Sequence, residues 1–532
     1  NANVSVPTAA YRTGDFSNLL TGENRFITAA PGAGGVCPAR TIASGGQCNV
    51  VDALGRTVPS GTIFDPATER DGPDGRRIRD PFPGNRIPID RFDPISAKVL
   101  GLIPAPQGVN FARGLVGDNF TGTYDSSRRS HIPSLKLDQV IGTKGRLSFY
   151  WQETNTKSPR SPAAADPFPD LITGGITTFS SGTTVRLNYD YTATARLILH
   201  IGAGWNDSDF VLDSPTNTYD TFAQLGLRGQ KEARYFPRLV YAVNANDQIG
   251  GMSNIGSISP TQSFERRPSG TASASYVTGG HTVKGGADWR LEKFPNYPRS
   301  AGLGNTGTNT TGTYIFGPNY TEQPSLLGLA TNQGFDGFEF ASFLLGGVSQ
   351  GSQVAPIALS NSKTQFAMYL QDTWKVTRKL TLDYGVRWDY GTYAREQYGR
   401  NGSIGLAIPN PSAAGRPGAM QFEATCNCNF ASNYPYAIGP RLGVAYQINP
   451  KTVLRAGWGL VYNATTTASG TSTAMSTGGA LPPNSGQIAG LFRNGLPSDD
   501  NAVWPSFDPG VGQGVGAVIG MPTLLDRNAG LL

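Results

Sequence analysis

The sequence predicts an all-β fold: a transmembrane antiparallel β-barrel with short turns at one end and long loops at the other. Three observations predict it. Apolar and polar residues alternate with period two over strand-length runs. The runs pair around tight turns. The connections between successive pairs are much longer than a soluble sheet uses, where loops beyond about 12–15 residues are uncommon.

Composition sets the frame. The chain has 532 residues, beyond the roughly 250–300 at which a soluble core stops growing. A barrel facing lipid escapes that limit because its outer surface needs no protein cover. Glycine (68) and proline (38) are abundant, aromatics make up 10%, and charged residues only 15%, against about 25% in an average soluble domain. That balance fits strands with irregular connections and argues against a helical protein. The net charge is 44 − 38 = +6, spread without a dense basic run. Arg76, Arg77 and Arg79 are the closest cluster and read as a solvated loop, so no nucleic-acid partner is expected. No run approaches the 18 or so apolar residues of a membrane helix, so any crossing must use strands. The chain starts at Asn1 with no secretory signal, which reads as an internal cut.

Residues 1–125 read as an extracellular loop region, with Gly and Pro recurring at 31–35, 72–75 and 80–84. One short helix is expected there. Asp93 is a good N-cap and Pro94 suits the first helical position. Ile95, Val99, Leu102 and Ile103 then share a face, and Pro104 ends it.

Residues 126–466 read as barrel hairpins with long outer loops. The first hairpin turns near 142–145, with Leu147, Phe149 and Trp151 on its return strand. In the second, Val185, Leu187, Tyr189 and Tyr191 oppose Thr184, Arg186, Asn188 and Asp190, and the partner carries Leu197, Leu199, Ile201, Ala203 and Trp205. The third turns at Gly279-Gly280 and sets Val283, Ala287, Trp289 and Leu291 against Lys284, Asp288, Arg290 and Glu292. In the fourth, Phe366, Met368, Leu370 and Trp374 share one face. After a turn at 376–379, residues 380–390 alternate without a break from Leu380 to Tyr390, near the 9–11 residues of a tilted membrane strand. The fifth pairs Leu442, Val444, Tyr446 and Ile448 with Leu454, Ala456, Trp458, Leu460 and Tyr462 around Asn449-Pro450-Lys451. The connections 155–182, 207–270, 295–362 and 392–439 are long, and 313–316 and 338–348 are candidate extra strands inside them. Residues 467–532 read as a Gly/Pro-rich extracellular loop.

Alternation alone also suits a soluble sheet with one face on a core. Six of the seven tryptophans, Trp151, Trp205, Trp289, Trp374, Trp388 and Trp458, lie in the strands. Trp374 and Trp388 fall towards opposite ends of one hairpin, as interfacial aromatic girdles require. The opposite faces carry Arg, Lys, Asp and Glu beside Gly, Ser and Thr, as a wet lumen would. These aromatics are therefore candidate lipid-interface residues.

No catalytic constellation is present. The sequence has no phosphate loop, no HExxH and no GxSxG. Gly512, Gly514, Gly516 and Gly520 read as a flexible loop. The histidines His131, His200 and His281 are scattered. No enzyme activity, cofactor or metal is expected. Asp125, Asp138 and Asp190 are candidates to pair with Arg across strands. The cysteines form two local pairs, Cys37 with Cys48 and Cys426 with Cys428, in loop-like stretches without a nearby histidine. That suits loop disulfides in an oxidising compartment better than zinc, with free thiols the other reading.

Several segments then resemble a specific family. Val6-Pro7-Thr8-Ala9-Ala10, Gly14-Asp15-Phe16-Ser17 and Ile63-Phe64-Asp65-Pro66-Ala67-Thr68 are similar to stretches of the large TonB-dependent receptors of Acidobacteria, the Oar-like group. So are 79–88 (RDPFPGNRIP) and Arg91-Phe92-Asp93-Pro94-Ile95-Ser96. Residues 369–374 (YLQDTW), 380–388 and 439–446 resemble barrel strands of such receptors generally. The resemblance covers most of the chain, and its motifs are specific as a set. It implies a gated importer with an N-terminal β-domain, a plug and a 22-stranded barrel driven through TonB. This sequence carries no signal, β-domain, plug or TonB box, so it would be a barrel portion that begins and ends in outer loops.

The expected protein is thus an outer-membrane receptor wall that binds and imports a bulky nutrient: an oligosaccharide, peptide or metal chelate. Its partners would be outer-membrane lipid, the unknown ligand, and TonB through the missing N-terminal region. The rivals are a secreted all-β adhesion or glycan-binding protein, whose aromatics would fill cores, and a passive porin.

Overall fold

The computed structural model describes residues 2–20, 49–59, 61–73, 75–112, 117–160, 166–229, 234–241, 251–256, 261–298, 300–301, 308–309, 312–326, 336–352, 359–399, 402–410, 414–426, 428, 430, 432–462, 488–495 and 530–531. Ten long strands form one antiparallel sheet. They are β1 (Ser134–Ile141), β2 (Gly145–Ser158), β3 (Thr177–Thr194), β4 (Leu197–Asp213), β5 (Thr261–Thr278), β6 (His281–Pro298), β7 (Leu359–Lys375), β8 (Leu380–Gly391), β9 (Ala437–Asn449) and β10 (Thr452–Gly459). Each strand pairs with its sequence neighbours, so the wall is a meander of the five expected hairpins. Short strands Arg129–His131 and Arg395–Glu396 extend its outer end. Among the described residues β1 pairs only with β2, and β10 only with β9, on their long sides.

The tight turns follow from local chemistry. Gly142 and Gly279 take positive φ (61° and 57°), which glycine adopts without a Cβ penalty. Thr194 and Thr377 cap their own turns, each hydroxyl accepting the backbone N–H groups two and three residues on. Asn449 Oδ1 accepts from the Lys451 N–H. Such side chains substitute for turn backbone bonds. At the other end the strands run further than alternation indicated. β4 continues to Asp213 and β6 to Pro298, because pairing persists past the apolar band where period two no longer carries a signal.

Register fixes which side chains share a face. One row runs Leu137, Phe149, Leu187, Ala203, Gly270, Trp289, Phe366, Tyr390 across eight strands. The neighbouring row on the opposite face runs Asp138, Ser148, Asn188, Gly202, Thr271, Asp288, Ala367, Asp389. Among the described residues no second sheet packs on the apolar face. Ile201 is 61% exposed, Leu370 57% and Leu454 61%. A soluble sandwich would bury these positions, so the secreted, core-filling reading of the aromatics is overturned. Among the described residues no helix is long and apolar enough to span a bilayer, which says nothing of a β-barrel.

The buried core lies elsewhere. Residues from 6–120, 168–172, 219–255 and 314–348, together with Phe492, form one hydrophobic cluster. The long connections therefore fold onto one another, and the reading of 1–125 as mostly loop is corrected. Short antiparallel pairs occur there, Phe64–Asp71 with Arg77–Pro81 and Ala2–Val4 with Phe120–Gly122. Helix α1 (Pro94–Leu100) is capped by Asp93, whose Oδ1 accepts from the N–H groups of Ile95 and Ser96. Two further short helices, Ala9–Arg12 and Val109–Ala112, join it. The Thr313–Ile315 strand exists, between Arg238–Val240 and Gln350–Ser352. The candidate strand at 338–348 is instead helix α2 (Glu339–Leu344), followed by a two-residue strand Gly347–Val348. α2 is buried on nearly all sides. A fully buried helix has no amphipathic period, so its apolar run cannot be told from a buried strand by periodicity.

Candidate functional site

A half-open cavity of about 590 Å³ lies on the polar face of the sheet between β3 and β8. Arg186, Asn188, Thr271, Asp288, Arg290 and Arg387 line it, with Gly202 and Gly204 in its floor. The charges are cross-linked over neighbouring strands. Arg387 reaches Asp288 Oδ2 at 3.0 Å and Asp389 Oδ1 at 2.9 Å. Thr271 Oγ1 donates to Asp288 Oδ1 at 2.9 Å. Arg290 bonds Gln365 and, at 3.0 Å, Glu292 Oε1. A second cavity of about 450 Å³ follows towards the turn end, beside Lys284, Asp383 and Arg441. This wall offers hydrogen bonds and both signs of charge, with glycines where side chains would block it. Such a surface solvates a polar solute.

The expected aspartate pairs are placed as follows. Asp138 pairs with Arg146 at 3.1 Å. Asp190 stands opposite Arg146 on one side and His200 on the other; it bonds His200 Nδ1 at 2.7 Å, while Arg146 pairs with Asp138. Asp125 folds back locally onto Ser127. Among the described residues no group of three or more His, Cys, Asp or Glu side chains is placed to hold a metal.

All six strand tryptophans fall on the outward face. Trp205, Trp289 and Trp388 each stand eight residues from the first residue of their strand after the turn (Leu197, His281 and Leu380), and Trp151 and Trp458 six from Gly145 and Thr452. Trp374 stands beside the turn, one residue before the end of β7. Eight residues span roughly 27 Å along a strand, or about 20 Å of membrane normal at a tilt near 40°. Cys426 and Cys428 are disulfide-bonded, with Cα atoms 5.1 Å apart. Cys37, Cys48 and the Gly512–Gly520 cluster lie outside the described residues.

The loop assembly explains the motifs. Gly14, Phe16, Ile63, Phe82, Asn85 and Ile87 meet one another. Phe16 N–H donates to Asn85 O, Ile87 N–H to Gly14 O, and Phe82 N–H to Ile63 O. Asn85 is buried; its Oδ1 accepts from Ile63 N–H, and its Nδ2 donates to Phe16 O and Gly61 O. Gly14 has φ +81°, and a Cβ there would stand 2.2 Å from Ile87 O. Buried Arg79 donates to the carbonyls of Asn319, Tyr320 and Glu322 and to Glu69 Oε2. Burial alone would raise the Glu69 carboxyl, but hydrogen bonds from Arg79 and Arg77 outweigh it and hold it below the usual range. Elsewhere burial raises Asp166 against its hydrogen bonds from Thr173, Gly174 and Phe168. Burial lowers its partner Arg238 to about 10.

A family model described as "Outer membrane beta barrel domain" matches residues 1–516. The chain belongs to that family. The barrel domain accordingly resides in the outer membrane, and its outward face is the lipid face. No curated protein matches the sequence. Among solved structures, it resembles the ferric-catecholate import receptor Fiu of E. coli K12 at 13% identity and a TM-score of 0.29, over 61% of this chain and 45% of that one. The outer membrane transporter YddB of Escherichia coli (10%, 0.27, 65% and 48%) and the copper transporter OprC (10%, 0.26, 64% and 48%) are also similar. The chain spans about half the length of these three structures.

Sequence reasoning missed two things. The loop core has no periodic signature. Asp372, His281 and Tyr384 come together on the lipid face; the signal was an aspartate at an apolar position of the Phe366–Trp374 alternation.

Proposed function

We propose that the barrel domain is the wall of a TonB-dependent, Oar-like receptor that takes a bulky nutrient at its loop assembly and passes it along the polar face. The carrying observation is the pairing of a polar, glycine-floored wall with long connections that pack into one core. A porin that admits small solutes passively has no need of such a core. In this reading no covalent chemistry occurs, the six tryptophans sit at the membrane interfaces, and TonB acts through sequence outside this chain. The nutrient class is a large polar solute, consistent with the mixed charges of the wall.

Conductance across a planar bilayer tests this. The full-length receptor should hold the bilayer closed and open only when a plug segment is pulled or denatured. Steady, ligand-independent conductance would instead support the passive porin.

A further inference from the structure

The lipid-facing side of the sheet changes character at one row. Across β4–β8 the outward residues Ala203, Gly270, Trp289, Phe366 and Tyr390 stand level with one another. Leu291 lies two residues further out along β6, and Lys293 two beyond that. In the Lys293 row, Asp207, Arg266, Lys293, Ser362 and Arg395 are successive register partners. Lys293 has the same parity as Trp289, and register partners share a face, so this row also points outward. Lys293 and Arg395 are exposed and flank the small Ser362. Among the described residues Lys293 meets no carboxylate. Arg266 lies over the Phe264 ring, 3.8 Å from Asp209 Oδ1. The other nearby carboxylates are held by backbone: Asp207 Oδ1 accepts from Thr183 N–H, and Glu396 from the N–H groups of Ser360 and Tyr398.

Depth identifies what surrounds this row. His281 pairs with Trp374 at the turn end of the sheet. Lys293 follows His281 by 293 − 281 = 12 residues, roughly 40 Å along the strand, or about 30 Å of membrane normal at a tilt near 40°. The apolar band of such a barrel is about 25 Å tall. The Lys293 row therefore stands just outside the acyl chains, at the level of lipid phosphates. The long connections leave from this end, which marks the outer leaflet. A half-open cavity of about 340 Å³ adjoins the row, lined by Ser362, Thr364, Thr392, Arg395 and Asn433 among others. Thr392 Oγ1 accepts from Thr364 N–H. The hydroxyls of Ser362 and Thr364 are unengaged among the described residues.

We propose that this row and its cavity bind the head group of a phosphorylated glycolipid of the outer leaflet. The phosphate lies over Ser362 between Lys293 and Arg395, where charge-assisted hydrogen bonds hold it. Sugar hydroxyls enter the cavity and meet Ser362 and Thr364. The acyl chains run inward over Leu291, Trp289 and Phe366, so phosphate and chains follow the order of the membrane. The site depends on the membrane position of the sheet and not on what the barrel transports.

The test is lipid retention by the detergent-purified full-length protein. It is incubated with equal amounts of lipid A and of lipid A stripped of its phosphates, and bound lipid is counted by native mass spectrometry. The expected result is enrichment of the phosphorylated form on the order of tenfold, reduced to parity when Lys293→Gln and Arg395→Gln are combined. Equal retention by the unmodified protein, or an unchanged preference in the double variant, overturns the proposal. Arg378→Gln with Lys379→Gln removes the same charge at the turn end and should keep the preference; an equal loss there would assign the effect to net charge and overturn the site. Displacement of the lipid by millimolar inorganic phosphate would assign the row to free phosphate and overturn the lipid assignment. Heat-modifiable gel migration verifies that each variant folds. If the double variant does not fold, Lys293→Gln alone decides: a reduced preference supports the site, and an unchanged one overturns it.

Discussion

The sheet and the loop assembly use the same residue types in opposite ways. On the sheet, large apolar side chains such as Met368 and Leu370 are half exposed or more, and the polar side chains turn inward around a cavity. In the loop assembly, Tyr241 stacks on Phe316, Phe343 meets both edge to face and Phe492 meets Phe316 edge to face, with centroids about 5–6 Å apart, and all four are fully buried. The difference comes from the solvent. Lipid takes the place of a core for the strands. The connections stand in water and must supply their own. One chain therefore obeys two burial rules, and each position reveals which solvent it faces.

Substitutions can break this contrast. The largest effect is expected for Phe343→Ala, which opens a cavity among four aromatic rings. It should cost the loop assembly about 3–5 kcal/mol. Its connections should become protease-sensitive while the strands stay heat-modifiable. If the strands melt with them, the two regions are one cooperative unit. Next, Leu370→Arg on the lipid face should cost about 2–4 kcal/mol of barrel stability, whereas Gln371→Arg on the opposite face should change little. Denaturant titration of the barrel in detergent micelles compares the two, and equally small losses would mean that both faces are wet.

Acid sharpens the contrast further. Glu69 is held below its ordinary range in the fold, so its stabilisation is present above the ordinary Glu range and is lost as pH falls through the folded value. Asp166, held above its range by burial, acts in the opposite direction. Glu69→Gln should be less stable at neutral pH and lose less between about pH 6 and pH 3. A protease-resistance profile that falls as steeply in the variant as in the parent would remove Glu69 from the acid response. The smallest effect is expected for Cys426→Ser. The bridge spans two residues, so it constrains little of the unfolded chain and should contribute under about 2 kcal/mol. A larger loss in thermal melts would assign the bridge a role in docking its loop.

Much of the wall was legible in the sequence because lipid on one side and water on the other impose a strict period of two. All five hairpins and their turns follow from it. The loop core was not legible, because its residues are drawn from segments hundreds of positions apart. Its elements are short, mostly strands of two to five residues and helices of four to seven, so a period rarely develops. α2 misled because it is apolar all round. The motifs nevertheless marked the right places. Asn85 and Gly14 look like loop residues in sequence, yet both are held by backbone contacts that other side chains could not satisfy. Asp190 bonds His200 although Arg146 also stands opposite it, because Arg146 is engaged by Asp138; competition between neighbours, which the sequence does not show, decides the partner.

The bond from Arg493 N–H to Asp93 Oδ2 joins positions 400 residues apart, and Phe492 beside it enters the aromatic cluster. The outer structure is therefore complete only once the segment around Phe492 is present. It waits for a segment that emerges after the last described hairpin, and contacts of such long range form slowly. Pulse-labelled chains should acquire protease resistance outside the membrane only after that segment is made, and resistance in chains truncated before it would refute this order of assembly.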